Sequence, residues 1–124
     1  MAGYVPQRGD LIAVTFDPQS EREQKGGPQT QKTAFGDLDR RPALVVSHYL
    51  FNKHTGLTIV CPITTAQRDF PFHVAVVGCP RVTGFVMVEQ IKSIDFRARS
   101  AKRIAKMPVP VLEEVLSILD ACIY

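Results

Sequence analysis

Arg40-Arg41-Pro42-Ala43-Leu44-Val45-Val46-Ser47 is the stretch on which the fold turns, because two arginines run straight into an unbroken, β-branched apolar segment. A continuous apolar run, rather than an alternating one, predicts a strand buried on both faces, with Pro42 as its first residue. Downstream, residues 48–56 read as a turn or short helical excursion, and Leu57-Thr58-Ile59-Val60-Cys61-Pro62-Ile63 returns as a strand. Here the apolar residues alternate, so Leu57, Ile59, Cys61 and Ile63 share one face and Thr64 looks the other way.

Upstream, Asp10-Leu11-Ile12-Ala13-Val14-Thr15-Phe16 is a first strand stopped by Asp17-Pro18, with Ile12, Val14 and Phe16 on one face. Between these strands, residues 18–40 offer a core only Ala34, Phe35 and Leu38. That stretch is expected to be a long loop, and connections beyond about 12–15 residues tend to be functional lids or disordered segments. Further on, residues 72–77 predict another strand, 78–84 a turn and 85–89 the next strand. The apolar parity then slips, since Val86 and Val88 are even, Ile91 odd and Ile94 even again, which predicts a bulge or bend.

The helical spacing of Val111, Leu112, Val115, Leu116, Leu119 and Ile123, opened by Pro110, predicts one amphipathic helix, with Glu113 and Glu114 on its solvent side near the positive end of the dipole. Five or six short strands and one helix at the end of the sequence predict a mainly β fold, a small, strongly bent β-barrel with a C-terminal α-helix packed on it.

Composition agrees with one globular domain spanning 1–124: 45% of residues are hydrophobic and 22% charged, and the formal net charge is +3. Cys61, Cys79 and Cys122 are far apart and sit among apolar neighbours, so they are expected to be small buried hydrophobes without a disulfide. Residues 1–10 lack a basic segment followed by a long apolar run, and no stretch approaches the roughly 20 apolar residues of a membrane span, so cytoplasmic residence is expected.

Several chemistries lack their signatures. His48, His54 and His73 show no metal-ligand spacing, so no metal is expected, and His73, alternating with Phe72 and Val74, reads as a half-exposed strand residue. No P-loop, GxGxxG or GxSxG motif is present, which argues against nucleotide, dinucleotide and serine-hydrolase chemistry. Positive charge clusters at Lys92, Arg97, Arg99, Lys102, Arg103 and Lys106, opposed in that segment only by Asp95. Such a stripe suits phosphates, but Phe96 is the only aromatic among them, and a stripe of this kind taken alone is more often a solvated face than a nucleic-acid site.

A set of collinear motifs adds to this: Tyr4-Val5-Pro6, Gly9-Asp10-Leu11-Ile12, Phe16-Asp17-Pro18, Glu23-Gln24, Arg41-Pro42-Ala43-Leu44, Cys61-Pro62-Ile63-Thr64-Thr65, and the run from Glu89-Gln90-Ile91-Lys92-Ser93 to Arg97-Ala98-Arg99. In this order and spacing the chain resembles the MazF/PemK toxins of type II toxin–antitoxin systems. The resemblance implies an SH3-like barrel that forms a homodimer. It also implies an mRNA interferase, a sequence-specific endoribonuclease that cuts single-stranded RNA without a metal or other cofactor and is blocked by a cognate MazE-like antitoxin. By the same resemblance Arg41 and Thr64 match the catalytic arginine and threonine, and Glu23 is the candidate proton acceptor. Gln24, Arg40, Thr65, Glu89, Gln90, Lys92, Arg97 and Arg99 are the candidate RNA-binding residues. Two departures stand out: Met87 occupies the position where PemK-type members carry an additional arginine, and residues 27–39 are an insertion.

The chemistry is consistent with these roles. Metal-free cleavage uses the ribose 2′-OH as nucleophile and needs donors for a dianionic pentacoordinate phosphorane, which an arginine fork and a threonine hydroxyl supply. Arginine is a poor proton carrier, since its pKa lies above about 12. Glu23 would instead take the proton if burial raised its pKa. Base choice is expected to reside in the loops at 18–40 and 65–71. Two other readings remain open from sequence: a CcdB-like gyrase poison, against which the absence of Trp counts, and a non-cleaving SH3-like RNA- or peptide-binding module.

Overall fold

The computed structural model describes residues 3–15, 40–66 and 70–123. Among them run β1 (Asp10–Thr15), β2 (Arg40–Val45), α1 (Tyr49–Thr55), β3 (Leu57–Thr64), β4 (His73–Ala75), β5 (Phe85–Met87), β6 (Lys92–Asp95), β7 (Lys102–Lys106) and α2 (Val109–Ile123). All strand pairs are antiparallel, in the order β4-β5-β3-β2-β1-β7, with β6 also paired to β3. The fold is thus a mainly β antiparallel sheet with a C-terminal helix. Phe16 and most of the expected 18–40 loop, Glu23 and Gln24 included, lie outside the described residues, as do 67–69.

Register explains why the apolar runs are continuous. Ile12 faces Ala43, Val14 faces Arg41, and Val45 faces Val60, so these side chains share one face of the sheet. On it Ile12, Val14, Ala43, Val45, Val60 and Ile94 form one buried cluster. The opposite face carries Leu11, Leu44, Cys61, Ile63 and Val86, packed against Val111 and Val115 of α2. β1 and β2 therefore feed two apolar layers, as the uninterrupted run at 43–46 requires. Ile59, Cys61 and Ile63 share the helix-covered face as expected, whereas Leu57 is exposed.

Pro42 is the third residue of β2, not the first, and stands opposite Ala13. A proline is accommodated inside a paired strand only where the ladder does not ask that residue for an N–H. The expected short helix is α1, where the His48 ring Nδ1 accepts the Leu50 N–H at 3.0 Å and Gly56, at φ +77°, ends the turn. Asn52 of α1 is fully buried and ties its surroundings together, donating to the Pro6 carbonyl at 2.8 Å and accepting from the Ser47 hydroxyl.

The parity slip has a definite origin. Ile63 and Thr64 of β3 face Val86 and Phe85, but Val60 faces Lys92. Two residues of β3 thus stand opposite five of the other strand, and the excess is taken up by a single 3-10 turn, Val88–Gln90. Because the excess is odd, Val86 points into one apolar layer and Ile94 into the other.

β7 was not expected, since Lys102-Arg103-Ile104-Ala105-Lys106 reads as a charged stripe. It is fastened by Asp10, whose nearly inaccessible carboxylate accepts from the Tyr4 hydroxyl, from the Gln7 N–H at 3.0 Å and from Arg103 Nε at 3.4 Å, with Lys106 Nζ at 3.7 Å. Burial, and then the Asp10 carboxylate, push the Tyr4 hydroxyl well above its ordinary pKa. Cys61 and Cys79 are buried as expected, but Cys122 is exposed, because α2 turns Val111 and Val115 inward and leaves its last turn in solvent. Among the described residues no helix is long and apolar enough to cross a membrane.

Candidate active site

Over the apolar layer that holds Ile12, Val14, Ala43, Val60 and Ile94, on the face away from α2, a cleft of about 250 Å³ opens. Its floor is apolar, formed by Val14, Ala43, Val60 and Ile94, while Arg41, Thr64, Gln90, Lys92 and Arg99 bring polar and cationic groups to it. Strand register does the assembling: Arg41 lies opposite Val14 near the start of β2, and Thr64 closes β3. Lys92 opens β6 opposite Val60, on the same face.

Two of these groups, Thr64 and Arg99, are held by backbone geometry. Thr64 Oγ1 accepts the Ala66 N–H at 3.1 Å, which leaves its hydroxyl hydrogen to donate. Its carbonyl is closely approached by Gly84, at φ +135°, where an added Cβ would stand 2.3 Å from the Thr64 oxygen. Arg99 sits in a turn shaped by Asp95, whose carboxylate accepts the N–H groups of Arg97 and Ala98 at 3.1 and 3.0 Å. That turn is pinned to β1, since the Arg99 carbonyl accepts both the N–H and the hydroxyl of Thr15, at 2.9 and 2.8 Å. Asp95 therefore builds the turn rather than neutralising the basic stripe.

The stripe itself divides. Lys92 and Arg99 line the cleft, whereas Arg103 and Lys106 pair with Asp10. Arg97 is exposed outside the cleft lining, its guanidinium 5.6 Å from the centre of the Phe96 ring. Arg40 directs its guanidinium to the carbonyls of Ser100 at 3.3 Å and Ala13 at 3.5 Å. Thr65 is exposed just beyond β3.

Glu89 lies in an adjoining cleft and not in this one. Its Oε2 is 3.0 Å from His73 Nε2, and although His73 as a residue is half-buried, as expected, its side chain is only 4% exposed. Alternation along β4 places His73 on a face but says nothing of the 3-10 turn folded against it. Phe70, His73 and Met87 line the clefts although no motif marked them as site residues; the aromatic flank Phe70-Pro71-Phe72 beside His73 was the available signal. Cys61, in the helix-covered layer, has its thiol pushed up to about 12 by burial and, to a smaller extent, by the Glu89 charge. Among the described residues no group of three or more His, Cys, Asp or Glu side chains is placed to hold a metal ion.

A family model described as the PemK-like, MazF-like toxin of type II toxin–antitoxin systems matches residues 7–123. The chain belongs to this MazF/PemK family. It is 39% identical over 100 residues to the endoribonuclease toxin MazF of Escherichia coli K12, covering 81% of this chain and 78% of that protein. With the endoribonuclease toxin ChpB of the same strain it shares 37% identity over 126 residues, 94% of this chain and 93% of the relative. Among solved structures, a MazE–MazF complex from Deinococcus radiodurans superposes with a TM-score of 0.76 at 32% identity, covering 98% of this chain and 97% of the other. The fold is accordingly that of MazF, and the chain is an endoribonuclease of the MazF/PemK toxin class, as its motifs imply. The gyrase-poison and non-cleaving alternatives give way to this assignment.

Proposed function

We propose that the chain is a metal-independent, sequence-specific mRNA interferase that cuts single-stranded RNA in the Arg41–Thr64 cleft. The observation that carries this reading is the meeting of Arg41 from β2 and Thr64 from β3 at one cleft that Lys92 and Arg99 also line. In the proposed reaction the ribose 2′-oxygen forms a bond to the adjacent phosphorus and the bond from phosphorus to the 5′-oxygen breaks. The products are a 2′,3′-cyclic phosphate and a 5′-hydroxyl. Arg41 donates its N–H fork to the developing dianion and Thr64 its hydroxyl to a phosphoryl oxygen. Lys92 and Arg99 hold flanking phosphates, with Arg97, Arg40 and Thr65 extending the track outside the cleft. Glu23, outside the described residues, is the proposed acceptor of the 2′-OH proton, and Gln24 is assigned to the RNA alongside it.

The same reading takes the whole of 1–124 as one toxin domain with 27–39 as an insertion, its sheet bent into an SH3-like barrel. Simultaneous pairing of β5 and β6 along one edge of β3 supports that curvature. The protein is proposed to act in the cytoplasm as a homodimer, inhibited by a MazE-like antitoxin whose acidic, initially disordered tail crosses the cationic cleft. Val109 and Ile123, 60% and 67% exposed on α2, are apolar surface for such contacts.

The test is cleavage of a long, weakly structured RNA in EDTA by wild-type and Arg41→Ala protein, with the new 5′ ends mapped. Discrete cuts sharing a short motif, lost on substitution, are expected. Intact RNA from folded wild-type protein across several transcripts overturns the reading.

A further inference from the structure

A second cleft of about 360 Å³ adjoins the first, sharing Thr64, Met87 and Gln90 with it and continuing to Phe70, His73 and Glu89. Anything bound there lies directly beside the proposed scissile phosphate. The His73 ring is buried, its Nε2 is 3.0 Å from Glu89 Oε2, and its Nδ1 has no hydrogen-bond partner among the described residues. A proton on Nδ1 would be buried without an acceptor, so the geometry favours the tautomer that carries hydrogen on Nε2 and donates it to Glu89. His73 thus occupies one lone pair of the carboxylate and orients the group. The remaining acceptor sites of Glu89, whose side chain is 28% exposed, stay available at the cleft. Phe70, 41% exposed, sets its ring edge-on to His73 with centroids 5.0 Å apart, and is an aromatic surface on which a base can stack.

A carboxylate only accepts hydrogen bonds, so it selects a base edge that presents donors side by side. Guanine alone has two adjacent donors, N1–H and the 2-amino group, on its Watson–Crick edge. Adenine and cytosine set their amino group beside a ring nitrogen lone pair, and uracil flanks its single N–H with two carbonyls, all of which oppose a carboxylate.

We propose that this second cleft is a nucleobase subsite that selects guanine next to the scissile phosphate, with Glu89 as the specificity-determining acceptor and His73 as its positioning residue. The assignment rests on the RNA-cleaving reading above, and binding measurements separate the two. Mapped cut sites first show whether one flanking base is guanine. Oligonucleotides carrying a 2′-deoxy sugar at the scissile position, which cannot react, are then titrated by fluorescence anisotropy with guanine, inosine or 7-deazaguanine at that place. Inosine, lacking the 2-amino group, is expected to bind at least tenfold more weakly, and 7-deazaguanine, with its Watson–Crick edge intact, as tightly as guanine. Glu89→Gln and His73→Phe should each collapse the guanine-to-inosine ratio toward one, and His73→Gln, which can donate at a similar reach, should restore part of it. A general folding defect would weaken all three ligands alike and leave that ratio unchanged. Cut sites without a flanking guanine, an inosine ratio near one in the wild type, an unchanged ratio in Glu89→Gln, or no binding of any oligonucleotide each overturn the subsite. Binding that discriminates guanine while no RNA is cut would overturn the nuclease reading and leave the subsite standing.

Discussion

Gly84 packs against the backbone of Thr64 so closely that an added Cβ would stand 2.3 Å from the Thr64 carbonyl oxygen and 3.0 Å from its carbon. The neighbour is backbone, which cannot rotate aside, and φ at Gly84 is +135°, a conformation closed to L side chains. The end of β3 is therefore held where Thr64 meets the cleft only because position 84 has no side chain.

Gly84→Ala should displace Thr64 and cost stability of about 1–3 kcal/mol, the range for a residue forced into a disfavoured backbone region. Cleavage should fall further than the folded fraction accounts for. Urea unfolding paired with single-turnover rates on one RNA checks this; a rate loss that only tracks the unfolded fraction would show that Thr64 had not moved.

Arg41→Ala should lower the cleavage rate about 10²–10³-fold, the usual loss when one preorganised donor to a developing oxyanion is removed. Arg41→Lys should recover little, because a point charge does not reproduce a planar fork. Thr64→Val, which keeps the shape and deletes the hydroxyl, should show a smaller loss. Equal rates in Arg41→Lys and wild type would make Arg41 a simple cation.

Asp10→Ala removes the acceptor shared by the Tyr4 hydroxyl, the Gln7 N–H and Arg103, and should destabilise by about 2–4 kcal/mol through lost charged and buried hydrogen bonds. Arg103→Ala should cost less than 1 kcal/mol or so, since that side chain is half exposed, solvent screens its charge, and Lys106 remains 3.7 Å from the carboxylate. Denaturant midpoints of the two variants decide the order.

Cys61 and Tyr4 titrate higher in the folded state than when unfolded, so both keep their protons longer in the native protein. Above the ordinary thiol range the unfolded chain binds fewer protons, so stability should be level below about pH 9 and decline as pH climbs toward 12. Cys61→Ala should flatten part of that alkaline slope. At pH 8 a small alkylating reagent should modify exposed Cys122 and spare buried Cys61 and Cys79, which mass spectrometry of the native protein reads directly.

The parts of the fold that alternation encodes were legible: the two faces of β3, the twice-buried segment of β2, the helical stripe of α2 and the parity slip at the 3-10 turn. β7 was not, because its hold on the sheet comes from Asp10, more than ninety residues away in sequence, and its own composition is that of a solvated strip. The site divides in the same way. Arg41 and Thr64 were named through an ordered set of motifs, since no periodicity reveals that two strands will carry an arginine and a threonine to one cleft. The half-exposed reading of His73 holds for the residue but not for its ring, because a period of two assigns a face without saying what packs upon it. Arg97 and Lys92 look equivalent in sequence; the Asp95 turn sends one outward, while β6 pairing keeps the other at the cleft.

The odd excess of residues between β5 and β6 makes that segment intolerant of length change. Deleting one residue from Val88–Gln90 would exchange the faces of all of β6, bringing Ser93 and Asp95 to the positions of Lys92 and Ile94. A single codon lost there would strip a cation from the cleft and drive a carboxylate into the apolar layer at once. Its side chains can be altered one at a time during diversification of the toxin, but insertions and deletions have to accumulate elsewhere.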